Sequence, residues 1–593
     1  MTFGLQKNST RFNLPVCKCS HVWTILSIMK YFEKLFVRGS ACLLCLLFVS
    51  GVSFGNQRLN VVWLSVEDMS PWINPYGDAT VPTPNLNRLA EEGVVYENAF
   101  ATSPVCAPAR SSLITGMFCT RIGTMQMRNG NPSKAAIAKD PEAYKDIPGY
   151  EGVPESFVRC FPEHLRASGY YCTNNSKKDY QFREPVTVWD ESSNTAHWRN
   201  RATGQPFFAV FNHTGTHESK GFPSSKRAPE VIRPDAVPVP PFYPDTENVR
   251  DAIARTYNNI AAMDNWVGTK IEELKQAGLL ESTVVIFFSD HGVGLPRGKR
   301  SCFDTGTRVP LIIRYPNRKD AGTRNRRVVS FIDFGPSTLS LAGIEPDARL
   351  DGTPFIGPFA YERDDYRRGH AYANADRFDS VYDRSRTVSD GRYRYTRNFV
   401  TKLPYIIRNA YREQLLMTAE LYALEESGPQ TPEQWQMAVK ERPSEEFYDS
   451  QSDPWEVKNL IESKEHQKKI AKLREHLESW IEHTGDLGFV LPETKMVQEK
   501  IWPPDGQQPK TPSAVADTRF TPDGSLLSLT CADPGASIGY RISRSKSFRG
   551  PWSVYTKPVE VPNGQWYFEV QTHRIGHSPS KITGAIGKKA KGS

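Results

Sequence analysis

The sequence predicts an α/β protein: a mostly parallel sheet between helices, followed by a small antiparallel α+β unit and an appended β-sandwich. Three observations carry this reading. Residues 59–66, 206–211 and 283–288 are almost wholly apolar runs of strand length, the pattern of strands buried on both faces. Between the second and third runs lies one long amphipathic stretch, residues 247–278, in which Val249, Ile253, Tyr257, Ile260, Met263, Trp266, Val267, Ile271 and Leu274 recur at threes and fours. Beyond a Pro- and Gln-rich linker at 503–513, short β-like runs at 526–529, 538–542, 559–561 and 565–570 are separated by Gly and Pro.

The chain opens with material outside that fold. Residues 41–54 form an apolar run preceded by Lys30, Lys34 and Arg38 and closed by small residues. A membrane span needs about 20 apolar residues, so the run reads as a secretory signal peptide, residues 1–55, cleaved near Gly55, with Met29 a natural start. The mature chain is then expected to be secreted or periplasmic, with no stable membrane insertion. Residues 1–55 hold six Lys/Arg against one Glu, and residues 506–593 hold twelve against five Asp/Glu. The formal charge of +8 therefore leaves about −4 on the body between. The body has the charge of an ordinary enzyme, and no nucleic-acid partner is expected.

The first strand ends at Glu67 and Asp68, where α/β sheets place their ligands. Residues 83–93 read as a helix with Thr83 as N-cap, Pro84 in the first turn and Gly93 as C-cap. Residues 103–116, S-P-V-C-A-P-A-R-S-S-L-I-T-G, hold Pro108, tolerated in a first helical turn, so a helix is expected just after Cys106. Cys106 then sits at the positive end of a helix dipole, with Arg110 one turn on along the same face, ready for an anion. Arg128 lies in the loop that follows, residues 124–132, where it reads either as a solvated arginine or as a contact to an acidic sugar. Residues 154–169 read as a helix and 170–173 as a strand, which leads into N-N-S-K-K-D-Y, residues 174–180. The strand at 206–211 runs into N-H-T-G-T-H-E-S; its two histidines invite a zinc reading, but Gly215 between them means they need not share a helix face. The third strand ends in Ser289-Asp290-His291-Gly292, a plausible second half of a metal site. With Glu67 and Asp68 it offers three carboxylates and a histidine, a set that favours Ca2+, or Mg2+, over zinc.

The spacing C-x-P-x-R followed by L-x-T-G, on Cys106, Pro108, Arg110, Leu113, Thr115 and Gly116, resembles the maturation signature of the formylglycine sulfatases, with Ala109 where that family often has serine. The resemblance implies an alkaline-phosphatase-like fold and oxidation of Cys106 to formylglycine by a maturation enzyme, the hydrated aldehyde being the nucleophile. It implies a calcium ion held by Glu67, Asp68, Asp290, His291 and residue 106, and sulfate contacts from Arg110, Lys177, His217 and Lys299. Asp179 stands where the family usually has histidine and joins Arg128 as a candidate substrate contact. Six cysteines remain after signal cleavage, and consuming Cys106 leaves an odd number, so a disulfide scaffold is not expected, although Cys160 and Cys172 have the option of pairing.

Residues 330–343 and 350–353 complete the family pattern. Residues 393–399 and 447–460, with a helix over 465–483, are similar in layout to the C-terminal subdomain of the heparan N-sulfatases (sulfamidases). The domains expected are therefore 56–375 catalytic, 376–500 C-terminal, 501–513 linker and 514–593 sandwich. P-G-A-S-I-G-Y-R-I and R-I-G-H-S-P-S in the last resemble the C-terminal module of chitobiase-type hexosaminidases. Trp552, Tyr555 and Trp566 read there as core and edge residues, and the basic charge is suited to holding a polyanionic glycan. The expected function is a secreted sulfatase acting on O- or N-linked sulfates of a sulfated glycan. The alternatives are a phosphatase or phosphodiesterase of the same superfamily, which would carry Ser or Thr and two metals, and a glycan-binding protein whose Cys106 stays unmodified.

Overall fold

The computed structural model describes residues 58–128, 137–138, 141–360, 369–502, 506–547 and 550–587. The expected signal peptide lies outside them. Among the described residues no helix is long and apolar enough to cross a membrane.

The main sheet has eight strands: β1 (Asn60–Val66), β2 (Val94–Phe100), β3 (Tyr171–Asn175), β4 (Glu191–Ser192), β5 (Phe207–His213), β6 (Thr283–Ser289), β7 (Arg308–Arg314) and β8 (Thr323–Ser330). They lie in the order β4-β3-β5-β1-β6-β7-β2-β8. Only β7 runs against the rest, pairing antiparallel with both β6 and β2. All seven residues of β1 are buried, as its unbroken apolar run requires. Val62, Leu64 and Val66 point to the face covered by α1 (Pro84–Glu91) and the long helix α4 (Glu247–Gln276). Val61 and Trp63 point to the other face, covered by α2 (Cys106–Thr115), α3 (Phe161–Ala167) and α5 (Phe334–Leu341). On that face Trp63 meets Phe208, Phe288 and Phe334 edge-on at 5.2–5.9 Å, the favoured aromatic geometry.

Local chemistry explains where the elements begin and end. α2 starts at Cys106 itself rather than after it, with extended Val105 as N-cap, and it closes at Gly116 in the left-handed region (φ 70°). The helix expected over 154–169 is confined to α3: Cys160 caps it, Glu163 returns to the Cys160 N–H at 3.2 Å, and the upstream residues form turns. α4 is capped by Thr246, whose hydroxyl accepts the Val249 N–H at 3.3 Å. Cys160 and Cys172 are both buried and free, so the optional pairing is not made.

The second unit is a four-stranded antiparallel sheet, β12-β11-β10-β9, from β9 (Ala371–Ala375), β10 (Ser385–Ser389), β11 (Tyr393–Asn398) and β12 (Glu445–Asp449). Helix α6 (Gln467–Thr484) lays Ile470, Leu473, Leu477 and Trp480 on Val388, Tyr395 and Phe447 of that sheet. The last unit faces a three-stranded sheet with a four-stranded one, built from strands β13 (Val515–Thr521) to β19 (Thr583–Gly587). Tyr555 and Trp566 pack against its core of Leu527, Leu529, Val561 and Val570. It touches the main body at and just before α3, where Arg159 donates to the Pro534 carbonyl at 2.9 Å and Arg166 of α3 to that of Trp552.

The small sheet is tied to its closing helix by a fully buried charge. Arg386 on β10 bridges Asp376 at 3.0 Å and Asp486, just past α6, at 2.6 Å, all three side chains being shielded from solvent. Removing one partner of such a cluster strands the others in low dielectric. Arg386→Ala is expected to lower unfolding free energy by about 3–5 kcal/mol, read as a shift of the denaturant midpoint of the transition followed by near-UV dichroism.

Candidate active site

Strand register assembles the site. Val66 at the end of β1 lies level with His213 of β5 and Ser289 of β6. The segments that follow these strands, Glu67-Asp68, His213 to His217 and Asp290-His291, therefore leave the sheet at one edge. β3 pairs with β5 as far as Asn175 and Phe211, which delivers Lys177 to the same edge. The first turn of α2 brings Cys106 to the middle.

Around the Cys106 sulfur stand His291 Nε2 at 3.2 Å, Lys299 Nζ at 3.5 Å and Asp68 Oδ1 at 4.0 Å. Lys299 donates to both oxygens of Asp68, at 3.0 and 2.8 Å, and lies 3.3 Å from His217 Nε2. Lys177 reaches Glu67 Oε2 at 3.1 Å and lies 3.7 Å from Asp179. Arg110 donates to Asp290 at 3.0 Å and to Asn212 at 3.0 Å. Glu67, Asp68, Asp290, His291, Arg110 and Lys299 are buried, whereas the Lys177 and His217 side chains keep 19% and 13% of their exposure. These two side chains at the rim are thus open to a ligand from solvent. The structure brings Glu67, Asp68, Cys106, Arg110, Lys177, Asp179, His217, Asp290, His291 and Lys299 into one cluster, with Arg128 at its margin. His213 stands apart, its ring 4.9 Å from Trp266, and burial lowers it to about 4.

The electrostatics follow from this crowding. Burial alone would raise the Cys106 thiol, but the ammonium groups of Lys299 and Lys177 outweigh it and bring it down to about 6. Burial likewise opposes ionisation of Asp68, yet Lys299, His217 and His291 hold it well below the usual carboxylate range. Burial would neutralise His291, but Asp290 and Asp68 carry it up to about 10. The cluster attracts positive charge at its acidic side and negative charge at Cys106.

Sequence reasoning passed over four residues that set this geometry. Glu218 is fully buried, accepts both Arg300 nitrogens at 2.8 and 2.9 Å, and lies 3.2 Å from Lys299. Its backbone N–H donates to Asp68 at 2.8 Å. Asn212, the residue after the apolar run of β5, holds Arg110 and in turn donates to Asn174 at 2.9 Å. Arg412, from the segment between β11 and β12, donates to the Lys299 carbonyl at 3.0 Å. Gly294 permits the tight approach: a Cβ there would meet Asp68 Oδ2 at 2.8 Å and the Glu218 Cα at 2.9 Å. Only the adjacency of Glu218 to His217 offered a sequence signal.

The donor set fits a hard divalent cation. Ligand atoms of Glu67, Asp68, Cys106 and His217 lie within 4.8 Å of one another, as do those of Cys106, Asp290 and His291. Glu67 Oε1 is buried with no hydrogen-bond partner among the described residues. His291 donates from Nδ1 to the Gly292 carbonyl at 2.9 Å, which leaves Nε2 facing the carboxylates. Of these donors, the carboxylates of Glu67, Asp68 and Asp290 are the ones a hard cation such as Ca2+ or Mg2+ would use.

A buried cysteine with carboxylates on one side and fixed cations on the other suits the hydrolysis of esters of a strong oxyanion. Comparison with known proteins gives the particular family. The sulfatase family model matches residues 59–344, and a model for the C-terminal part of N-sulphoglucosamine sulphohydrolase matches residues 296–404. An ulvan-active sulfatase of Formosa agariphila is 39% identical over 560 residues, covering 88% of this chain and 91% of its own. Human N-sulphoglucosamine sulphohydrolase is 23% identical over 517 residues, 77% of this chain and 96% of its own. A Bacteroides thetaiotaomicron protein solved in work on the metabolism of multiple glycosaminoglycans shares the fold, with a TM-score of 0.52 at 17% identity over 72% of this chain and 97% of that one. The chain belongs to the sulfatase family and is a sulfuric ester hydrolase.

Glu218 offers a test of the charge balance. Burial would raise its carboxyl, but Arg300 and Lys299 bring it to about 2, below the ordinary 4.5. A depressed carboxyl stabilises the fold above its unfolded value, and that contribution is lost as pH falls from 4.5 towards 2. Glu218→Gln, which leaves Arg300 only the Asp379 carboxylate at 3.9 Å, is expected to destabilise by about 3–5 kcal/mol at neutral pH. The gap from the parent in thermal melts should narrow steadily below pH 4.5.

Proposed function

We propose that this sulfatase is secreted and removes sulfate from a sulfated glycan, with Cys106 converted to formylglycine and a calcium ion held by Glu67, Asp68 and Asp290 with His291. The observation that carries the reading is the position of residue 106, at the start of a helix and 3.5 Å from the Lys299 ammonium, inside a ring of fixed charges. A sulfate ester is a stable anion whose oxygens shield the sulfur, so its cleavage needs those oxygens neutralised and a nucleophile held in line. Converted to a hydrated aldehyde, residue 106 would supply one hydroxyl to attack sulfur as the sugar oxygen or nitrogen leaves, and a second whose deprotonation would expel sulfate and restore the aldehyde. A divalent cation supplies further positive charge for the sulfate oxygens.

The remaining work falls to side chains. Lys299 and Lys177 meet the sulfate oxygens with full charges, each kept protonated by the carboxylates beside it. Arg110, fixed by Asp290 and Asn212, keeps Nη2 buried without a hydrogen-bond partner among the described residues and so has a donor to offer. His217 stands at the rim, its Nδ1 held 2.9 Å from the Ser219 hydroxyl. Asp179, with φ 61° and a buried Oδ2 that has no hydrogen-bond partner among the described residues, contacts the substrate near the leaving group.

The glycan is assigned by likeness: the relative at 39% identity is named for activity on ulvan, and the human relative for an N-sulphoglucosamine. Cys106→Ala is expected to cut sulfate release from ulvan oligosaccharides by about 10³-fold or more, followed by ion chromatography. Mass spectrometry of the peptide spanning Cys106 should show the mass decrease of thiol-to-aldehyde conversion. Chelation of the mature enzyme should abolish turnover, and added Ca2+ should restore it. Persistent turnover in Cys106→Ala would overturn the assignment of the nucleophile.

A further inference from the structure

Beside the catalytic cluster stands a guanidinium with no hydrogen bond or ion pair to any other described residue. Arg128 is half-buried in a left-handed backbone conformation (φ 55°). The residue before it is fixed: the Met127 N–H donates to the Arg377 carbonyl at 3.0 Å, and its side chain packs with Val105 and Ala107 at the start of α2. Burial alone would favour loss of the Arg128 charge, but Asp179, residue 106 and Asp379 outweigh it, so the group stays cationic. Neither carboxylate is within ion-pair distance of it, and Asp379 is occupied by Asn409, whose amide donates to it at 2.5 Å.

The second feature is an aromatic ring at the same margin. Tyr411 is 37% exposed, with its ring centroid 6.4 Å from that of His217 and 5.2 Å from that of Phe222. Its backbone is held in place, because its N–H donates to Asn409 at 2.9 Å and the next residue, Arg412, reaches the Lys299 carbonyl. An exposed ring fixed beside a charged cavity offers an apolar face to a sugar. A guanidinium is a planar fork that matches a carboxylate with two parallel hydrogen bonds.

We propose that Arg128 and Tyr411 form a subsite for an acidic sugar linked to the sulfated one, the Tyr411 ring packing on the sugar face and Arg128 gripping its carboxylate. The inference rests on the sulfated-glycan reading above and adds the two residues that would read the sugar next to the sulfated one. The sulfate already has Lys177, Lys299, Arg110 and His217 to meet it, so Arg128 is the cation left for a second anionic group. The uronate carboxylate is preferred to a second sulfate because its planar pair of oxygens fits the fork.

Binding tests this without turnover. In a Cys106→Ser background, calorimetry would compare three tetrasaccharides: one with a uronate next to the sulfated sugar, its carboxyl-reduced counterpart, and one with a second sulfate in place of the carboxylate. Arg128→Gln is expected to weaken the uronate form about tenfold or more, the scale of a lost charge-assisted hydrogen bond, and the reduced form less than about twofold. Tyr411→Ala should weaken the uronate and reduced forms alike, and Tyr411→Phe should restore them. Equal losses for both forms on Arg128→Gln, a loss confined to the second-sulfate form, or no binding by any of the three overturns the subsite. Sulfate release by the mature parent enzyme is measured separately and bears only on the preceding section, so the two readings fail independently.

Discussion

Lys299 on Asp68 is the contact on which the site depends. An isolated carboxylate at the buried end of β1 would cost several kcal/mol, and the Lys299 ammonium, touching both oxygens, removes that cost. Because Glu218 also faces Lys299 and is locked by Arg300, the pair belongs to a chain of alternating charges. Each charge is tolerable only because the next is in place, and the chain ends at residue 106, where no fixed counter-charge remains for what the lysines attract. The same balance that lets the fold bury its charges leaves a field suited to an anionic ester.

That field stands at one edge because the sheet is nearly all parallel. Parallel strands share a direction, so their carboxyl ends share an edge, and the level register of Val66, His213 and Ser289 turns three distant chain segments into neighbours. Packing on both faces, with Trp63 and its aromatic partners on one side and α4 on the other, holds the sheet in place beneath the paired charges at its edge.

Much of this was legible in the sequence. The apolar runs marked β1, β5 and β6, the charged residues just after them marked the edge, and the spacing from Cys106 to Gly116 marked the helix that begins at residue 106. The overestimate over 154–169 came from a local pattern: Pro162 and Glu163 favour a helix start, and propensity did not reveal that the chain before Cys160 is spent in turns. Glu218, Asn212 and Arg412 were not legible because each acts through a partner far along the chain, 82 residues away for Glu218 and Arg300 and 113 for Arg412 and Lys299. A polar residue with a distant partner leaves no periodicity. Tyr411 was hidden for a related reason, since its place beside His217 exists only once the segment between β11 and β12 has folded back over the edge.

The contact by which that segment grips the site is made to a main-chain carbonyl. Such an acceptor is supplied by whatever amino acid occupies position 299, so the grip records where the backbone runs and is indifferent to the reaction carried out beneath it. Residues around Tyr411 can therefore drift, lengthen or be exchanged among related chains while the charged core keeps its form, and a lineage of such enzymes could follow new polysaccharides by rewriting the rim alone.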